Sequence, residues 1–283
     1  ERSEFFNRDT FPRDPSAILN LSMPAISGGD VQRKVWQAIT ILRLFRVGSV
    51  RSLSYSTESD SFFSMGGILT NHDHHSLHKT AVIANADAGR FEQFWRRISN
   101  ILPSQGYEHR TENVDPIDIA YQRYADSLLT WGASVERRIA DAVMGLESLL
   151  LRREENQELA YRLRMRIARI LSVLGSDPYA AKKVANDAYT VRSAFVHGAK
   201  VNDDDRKAII KRHGSFEFLL DALLDQLRVT IVVMTVMQTA KEELIKDIDD
   251  SFIDSLALPR LKVALSPAQE LAGTVVDSLA VMP

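Results

Sequence analysis

The chain has 283 residues, which is long for one domain and comfortable for two. Its hydrophobic content of 45%, charged content of 25% and net charge of −2 are ordinary for a globular protein and give no overall basic field for nucleic acid. The absence of cysteine excludes disulfides, thiolate zinc sites and cysteine nucleophiles, and together with the absence of a long apolar run it favours a cytoplasmic protein without a membrane span.

The N-terminal part, residues 1–110, is predicted to be a small mixed α/β region whose role no motif indicates. Proline and glycine recur through residues 1–29, which show little periodic pattern and are predicted to be irregular. Asp30 is a good cap for a helix that would run to Phe45. The remaining predicted elements of this region are a strand within 47–56, a loop over 57–78, a second strand at 80–84 and a helix over 90–102.

A polar segment over 103–115 reads as a linker, and the pattern after it is helical. Short joints between successive helices favour an antiparallel bundle over 115–258. We expect helices at 117–131, 133–153, 156–174, 178–197, 203–212 and 215–246. Residues 259–283 read as a C-terminal extension with one short helix around 274–277. The fold class is therefore mainly α, with the mixed α/β region in front.

The motif in this chain that most clearly indicates a chemical function lies at residues 189–198 (Tyr-Thr-Val-Arg-Ser-Ala-Phe-Val-His-Gly). Arg192 can bind a phosphate, and His197 can move a proton. An apolar stripe of Val184, Ala188, Val191 and Phe195 should face the core. The arginine and the histidine would then lie about 140° apart around the helix, which Gly198 should end. One straight helix would therefore not bring them to one substrate atom, but a second copy could complete the site.

Three segments of the bundle resemble the HEPN superfamily (higher eukaryotes and prokaryotes nucleotide-binding), and within it the Apea-like branch. They are Ile-Ala-Asp-Ala-Val-Met-Gly-Leu-Glu-Ser-Leu-Leu at 139–150, Leu-Arg-Met-Arg-Ile-Ala-Arg-Ile-Leu at 163–171, and Ala-Tyr-Thr-Val-Arg-Ser-Ala-Phe-Val-His-Gly at 188–198. In that branch the last segment commonly reads Tyr, then Arg-Ser, then Val-His-Gly. The resemblance covers about 115–258 and does not extend to residues 1–110.

The resemblance implies an all-α bundle that dimerises through the helix carrying Arg192 and His197, so that two Arg-x4-His motifs line one cleft. Many members are metal-independent endoribonucleases of phage-defence or toxin–antitoxin systems, which implies RNA as substrate, no cofactor, and a regulatory protein as a further expected partner. His197 would act as general acid or base and Arg192 would bind the scissile phosphate, supported by Tyr189 and Ser193. Many active members carry Asn, Asp or His where this chain has Ser193, so a non-catalytic module that binds nucleotide, RNA or protein is the alternative.

Other charged residues of the bundle allow two interpretations each. One set of basic residues could form a wall that guides an RNA backbone, or a solvated face paired with neighbouring glutamates. The set consists of Arg162, Arg166, Arg169, Lys182 and Lys183. Glu147 lies among apolar residues of its helix and is either a buried partner of Arg192 or a partly exposed glutamate.

A histidine-rich segment, His72–His78, contains four of the seven histidines of the chain. Histidine and carboxylate together suit zinc, nickel or copper, so this segment gives a third hypothesis, a metal-dependent enzyme. The simpler interpretation is a polar loop without a special role. Nothing in the HEPN resemblance requires a metal.

Overall fold

The protein is mainly helical in this computed structural model, which describes residues 28–48, 50, 55–57, 65–67, 83–108, 114–130, 132–237 and 240–272. The helices are α1 (Gly28–Phe45), α2 (Ala88–Ile98), α3 (Pro116–Leu129), α4 (Val135–Leu150), α5 (Leu159–Val173), α6 (Pro178–Val196), α7 (Asp203–His213), α8 (Phe216–Met237), α9 (Lys241–Asp250) and α10 (Ala257–Ala272). No helix of the described part is long and apolar enough to cross a membrane.

Aspartate side chains cap the N-termini of two helices of the bundle. Asp115 accepts hydrogen bonds from the backbone of Ile117 and Asp118 at the start of α3, and Pro116 follows it at the first helical position. Asp177 does the same for Tyr179 at the start of α6. Because the first N–H groups of a helix have no partner within it, these side chains fix where each helix begins.

Helix α8 forms the centre of the bundle and contacts α3, α4, α6 and α10. Leucine, valine and isoleucine cover nearly all of its circumference, as expected for a helix surrounded by others. Gly145 of α4 allows one close approach, because a Cβ there would lie 2.9 Å from Leu227 Cδ2 of α8. The last third of α4, which carries Glu147, is therefore held firmly against the core.

The hydrophobic core extends beyond the segment that resembles HEPN. Phe45 of α1 and Phe94 of α2 are buried in the same cluster of side chains as the bundle, and so is Leu265 of α10. Tyr107, in the segment predicted as a linker, is also buried, and its hydroxyl forms a 2.8 Å hydrogen bond with Thr235 of α8.

The predicted mixed α/β character of the N-terminal region is not supported by the described residues. Residues 46–48, where the first strand was predicted to begin, form a bend, and residues 83–84 at the end of the second are irregular. The strands that occur are β1 (Tyr55–Thr57) and β2 (Met65–Gly67), an antiparallel pair with Tyr55 opposite Gly67. Residues 55–56 at the end of the first predicted strand do belong to β1, whereas residues 49 and 51–54 of that strand and 80–82 of the second lie outside the described residues.

The helix predicted over 215–246 is wrong as a single element. α8 ends at Met237, and α9 begins at Lys241 after Ala240, whose ψ of 134° is not helical. The turn lets Leu244, Ile245 and Ile248 of α9 become buried, with α9 packed on α5 and α10. The short C-terminal helix was predicted from Leu271 and residues 274–277; Leu271 lies near the end of the longer helix α10, and 274–277 lie outside the described residues.

Candidate functional site

The C-terminal end of α6 has the glycine-terminated geometry that the sequence predicts. Gly198 adopts a φ of 68°, which lies in the left-handed region where a side chain is unfavourable. Its N–H donates to the carbonyl of Phe195, and the N–H of Ala199 donates to the carbonyl of Ala194. These two bonds define a Schellman motif. His197 is the last residue before this motif, and it is exposed.

The apolar stripe of α6 faces the core as predicted over most of its length. Val184, Ala188 and Val191 are buried against the neighbouring helices. Phe195, the second-last residue of α6, departs from the prediction because 40% of it is exposed. It forms an apolar surface with its neighbour Val196, which is 51% exposed. The end of α6 therefore projects from the bundle instead of being covered by it.

The predicted contact between Arg192 and Glu147 is confirmed. Arg192 Nη2 lies 3.1 Å from Glu147 Oε2, and this pair joins α6 to α4. The guanidinium also lies over the Tyr189 ring, 5.5 Å from its centroid. Arg192 Nε and Glu147 Oε1 are buried and have no hydrogen-bond partner among the described residues. The pair is thus held in place but keeps one donor and one acceptor unused.

Burial changes the acidity of two groups around this arginine. Desolvation raises the pKa of the Glu147 carboxyl, and the attraction and hydrogen bond of Arg192 offset this only in part. Desolvation also raises the pKa of Tyr189, with a smaller contribution from the nearby Glu147 carboxylate. Tyr189 is therefore a neutral phenol at neutral pH.

Arg192 and His197 do not face the same direction on α6. The helix is regular up to Val196, so a separation of five residues leaves the two side chains about 140° apart and about 7.5 Å apart along the axis. The backbone of His197 itself (φ −84°, ψ 8°) stays close to the helical path. One chain therefore presents the two groups on different sides of the helix end.

An open cleft of about 420 Å³ lies beside the motif. Two turns of α6 line one side of it, and the loop into α7 with the first turn of α7 lines the other. The lining residues are Tyr189, Thr190, Ser193, Ala194, Lys200, Val201, Asn202 and Asp205. The cleft brings together Tyr189 and Ser193 from the predicted supporting set. Lys200, Asn202 and Asp205 were missed, since the sequence does not show that α7 folds back beside α6.

The predicted basic wall does not form a continuous exposed surface. Arg166 is 1% exposed, and its guanidinium binds Glu155, Asp249 and the carbonyl of Leu150. An RNA phosphate cannot reach it, so its assignment to RNA binding is wrong. The alternative interpretation, pairing with a neighbouring glutamate, holds for two of these arginines: Glu155 contacts both Arg166 and Arg162.

The other four basic residues are more accessible but do not share one arrangement. Arg169 lies over the ring of Phe252, 4.4 Å from its centroid, and donates to the carbonyl of Ser251. Arg162 and Lys182 are half-buried, whereas Lys183 is exposed. Only Lys182 and Lys183 belong to α6, the helix that carries the motif, and they lie at its opposite end.

An ion cluster that no sequence pattern indicates joins the middle of α6 to the end of α7. Asp187 is buried, and both of its oxygens accept hydrogen bonds from Arg212, at 2.7 and 2.8 Å. His213 Nε2 lies 2.8 Å from the same carboxylate. Burial alone would raise the pKa of Asp187, but the hydrogen bonds from His213 and Arg212 outweigh it, so the net pKa is lowered.

No group of three or more His, Asp or Glu side chains in the described ranges could hold a metal ion. The segment His72–His78 lies outside those ranges, so its metal hypothesis stays a prediction.

Comparison of the chain with protein-family models, with characterised proteins and with solved structures finds no match. The likeness to HEPN therefore rests on the three segments quoted above.

Proposed function

We propose that the protein is a metal-independent endoribonuclease of the HEPN type, with Arg192 and His197 as its catalytic residues. The observation that carries the proposal is the arrangement at the end of α6. An arginine held by Glu147 and Tyr189 lies one and a half turns before an exposed histidine at a glycine-terminated helix end. The resemblance to Apea-like HEPN proteins, including its association with prokaryotic defence or toxin-type systems, supports the same function.

The chemistry needs a proton carrier and a cation, and the two side chains can supply both. His197 would take the proton of the ribose 2′-hydroxyl as its oxygen attacks the phosphorus; the bond from phosphorus to the 5′-oxygen breaks, and the leaving 5′-oxygen takes a proton from water. Arg192 would bind the phosphate and stabilise the negative charge that develops on it. The products are a 2′,3′-cyclic phosphate and a 5′-hydroxyl end.

The geometry of α6 supports a site shared by two chains. Because Arg192 and His197 point about 140° apart, a phosphate bound by one would not meet the other on the same straight helix. A two-fold axis beside the end of α6 would place the histidine of one protomer near the arginine of its partner. The exposed side chains of Phe195 and Val196 supply apolar surface for such a contact.

Cleavage of RNA in EDTA tests the proposal directly. Wild-type protein should produce cyclic-phosphate ends, which mass spectrometry identifies, and Arg192→Ala or His197→Ala should each lower the rate about 100-fold or more. Arg153→Ala, at an exposed arginine of the α4–α5 loop, is the matched control and should cleave like the wild type. Unchanged cleavage by both motif variants would refute the catalytic assignment.

A mixing experiment tests the shared site. Arg192→Ala and His197→Ala protomers, inactive alone, should recover activity when subunits are allowed to exchange, because each mixed dimer retains one intact arginine and one intact histidine. Size-exclusion chromatography should show that both variants are dimers. An active monomer, or folded dimers that fail to complement each other, would contradict the shared site.

A non-catalytic module that binds RNA or a nucleotide is the second candidate. It is favoured by the engagement of Arg192 with Glu147, which reduces the positive charge available to a phosphate, and by Ser193 at the position where many active members carry Asn, Asp or His. RNA binding without cleavage by the wild-type protein would select this candidate.

A further inference from the structure

The cleft beside the catalytic motif contains groups suited to one class of ligand, a nucleobase. It is open to solvent and measures about 420 Å³, which leaves room for a single base and its ribose. It is lined by an aromatic ring of α6, a lysine of the α6–α7 loop and a carboxylate of the first turn of α7: Tyr189, Lys200 and Asp205. Its other side chains are small or polar, so a flat ligand can enter between the two elements.

Tyr189 offers a stacking surface at the base of this cleft. Its ring is half-buried, and Arg192 covers part of it, so its position is fixed before a ligand arrives. Stacking of a base on an aromatic side chain is a common mode of single-stranded RNA recognition. Because Arg192 and Tyr189 are neighbours on α6, a base stacked here would belong to a nucleotide beside the scissile phosphate.

Asp205 is held so that it can accept hydrogen bonds from a ligand. Asn202 Nδ2 donates to Asp205 Oδ2 at 2.6 Å, and Asn202 Oδ1 accepts from the backbone N–H of Asp205. This reciprocal pair at the start of α7 fixes the carboxylate and engages both polar ends of the Asn202 amide. A carboxylate accepts about four hydrogen bonds, so Asp205 retains capacity toward the cleft.

We infer that this cleft is the base-specificity subsite of the protein and that it selects guanine. The inference rests on the proposed function, since it takes RNA as the ligand. Guanine is the base that presents two adjacent donors, N1–H and the N2 amino group, for the Asp205 carboxylate. Its neighbouring O6 acceptor suits the Lys200 ammonium. Cytosine and adenine offer one amino donor each, and in uracil carbonyl oxygens flank the only donor and would be repelled by the carboxylate.

Binding to a cleavage-inactive variant separates this inference from the catalytic proposal. In a His197→Ala background, fluorescence anisotropy would compare hexanucleotides of uridine that contain one central guanosine, adenosine, cytidine or uridine. The guanosine-containing strand should bind about tenfold or more tightly than all-uridine RNA, the scale of one good bidentate contact. Tyr189→Leu should weaken binding of both strands about tenfold, because it removes the stacking surface.

Asp205→Asn and Asp204→Asn are matched variants, since they make the same change of charge one residue apart on α7, and Asp204 does not line the cleft. The guanosine preference should disappear in the first variant and persist in the second. Equal affinity for all four strands, a preference that survives Asp205→Asn, or no RNA binding would each overturn the subsite. The two tests are independent. A protein without guanosine preference could still cleave RNA in EDTA, and a protein that does not cleave RNA could still show the guanosine preference.

Discussion

Arg192 on α6 and Glu147 on α4 form an ion pair of 3.1 Å in which each partner is only partly exposed, 24% and 16% of the side chain respectively. The pair fixes the guanidinium relative to the core, because α4 itself is packed closely on α8. It also means that a phosphate must share Arg192 with a carboxylate, or displace that carboxylate.

Removal of Glu147 tests how much this pair contributes. Glu147→Ala should lower the free energy of unfolding by about 1–3 kcal/mol, since it leaves a half-buried guanidinium without its partner. Glu147→Gln keeps an acceptor and should cost less. Urea denaturation measures both, and Glu154→Ala, at an exposed residue of the α4–α5 loop, should change little. Equal stability of Glu147→Ala and the wild type would show that the contact contributes nothing.

Replacing a glycine by alanine should change the stability of the protein in opposite directions at two positions. Gly198→Ala forces a methyl group onto a backbone with φ of 68° and should destabilise the protein by about 1–2 kcal/mol. Gly89→Ala, within α2 and with nothing within 4 Å of an added Cβ, should stabilise it by about 0.5–1 kcal/mol. Thermal unfolding followed by circular dichroism distinguishes the signs. A stabilising Gly198→Ala would contradict the Schellman ending of α6.

The contact of Glu155 with Arg166 should make stability depend on acid pH. Hydrogen bonds from Arg166 lower the pKa of Glu155 from 4.5 to about 2. Because the folded-state pKa is depressed, its contribution is complete above about pH 4.5 and is lost as the pH falls toward 2. Urea denaturation at pH 6, 4 and 3 measures how far the free energy of unfolding falls with pH. Between pH 6 and pH 3 this fall should be smaller in Glu155→Gln than in the wild type by about 1–3 kcal/mol. Parallel pH profiles for the two proteins would contradict the assignment.

Arg166 and Arg162 both pair with Glu155, but replacing each by alanine should lower the stability of the protein by very different amounts. Arg166→Ala should cost about 3–5 kcal/mol because it leaves the largely buried Glu155, the partly exposed Asp249 and the carbonyl of Leu150 without their cation. Arg162→Ala breaks a pair in which the arginine is 41% exposed and should cost less than about 1 kcal/mol. Denaturant unfolding measures the difference. If the two variants were equally stable, the buried position of Arg166 would be wrong.

Most features of the site that depend on neighbours in the chain could be predicted from the sequence. The helices predicted at 117–131 and 178–197 occur within one or two residues of those starts, and Gly198 ends the second as predicted. The pairing of Glu147 with Arg192 was also among the expectations, because a carboxylate on an apolar face requires a cation nearby. Burial of Arg166 could not be foreseen, since its spacing to Arg162 and Arg169 is the same on an exposed face and a buried one.

Most helices of the bundle and the glycine-terminated end of α6 follow from local sequence patterns, because each depends on residues within about one turn of each other. Local patterns do not indicate which charges are buried, where α8 gives way to α9, or that Lys200, Asn202 and Asp205 line a cleft with Tyr189. These features depend on contacts between residues far apart in the chain. The ion pairs of Asp187 with Arg212 and His213 join α6 to the end of α7, and no local pattern of residues encodes that contact.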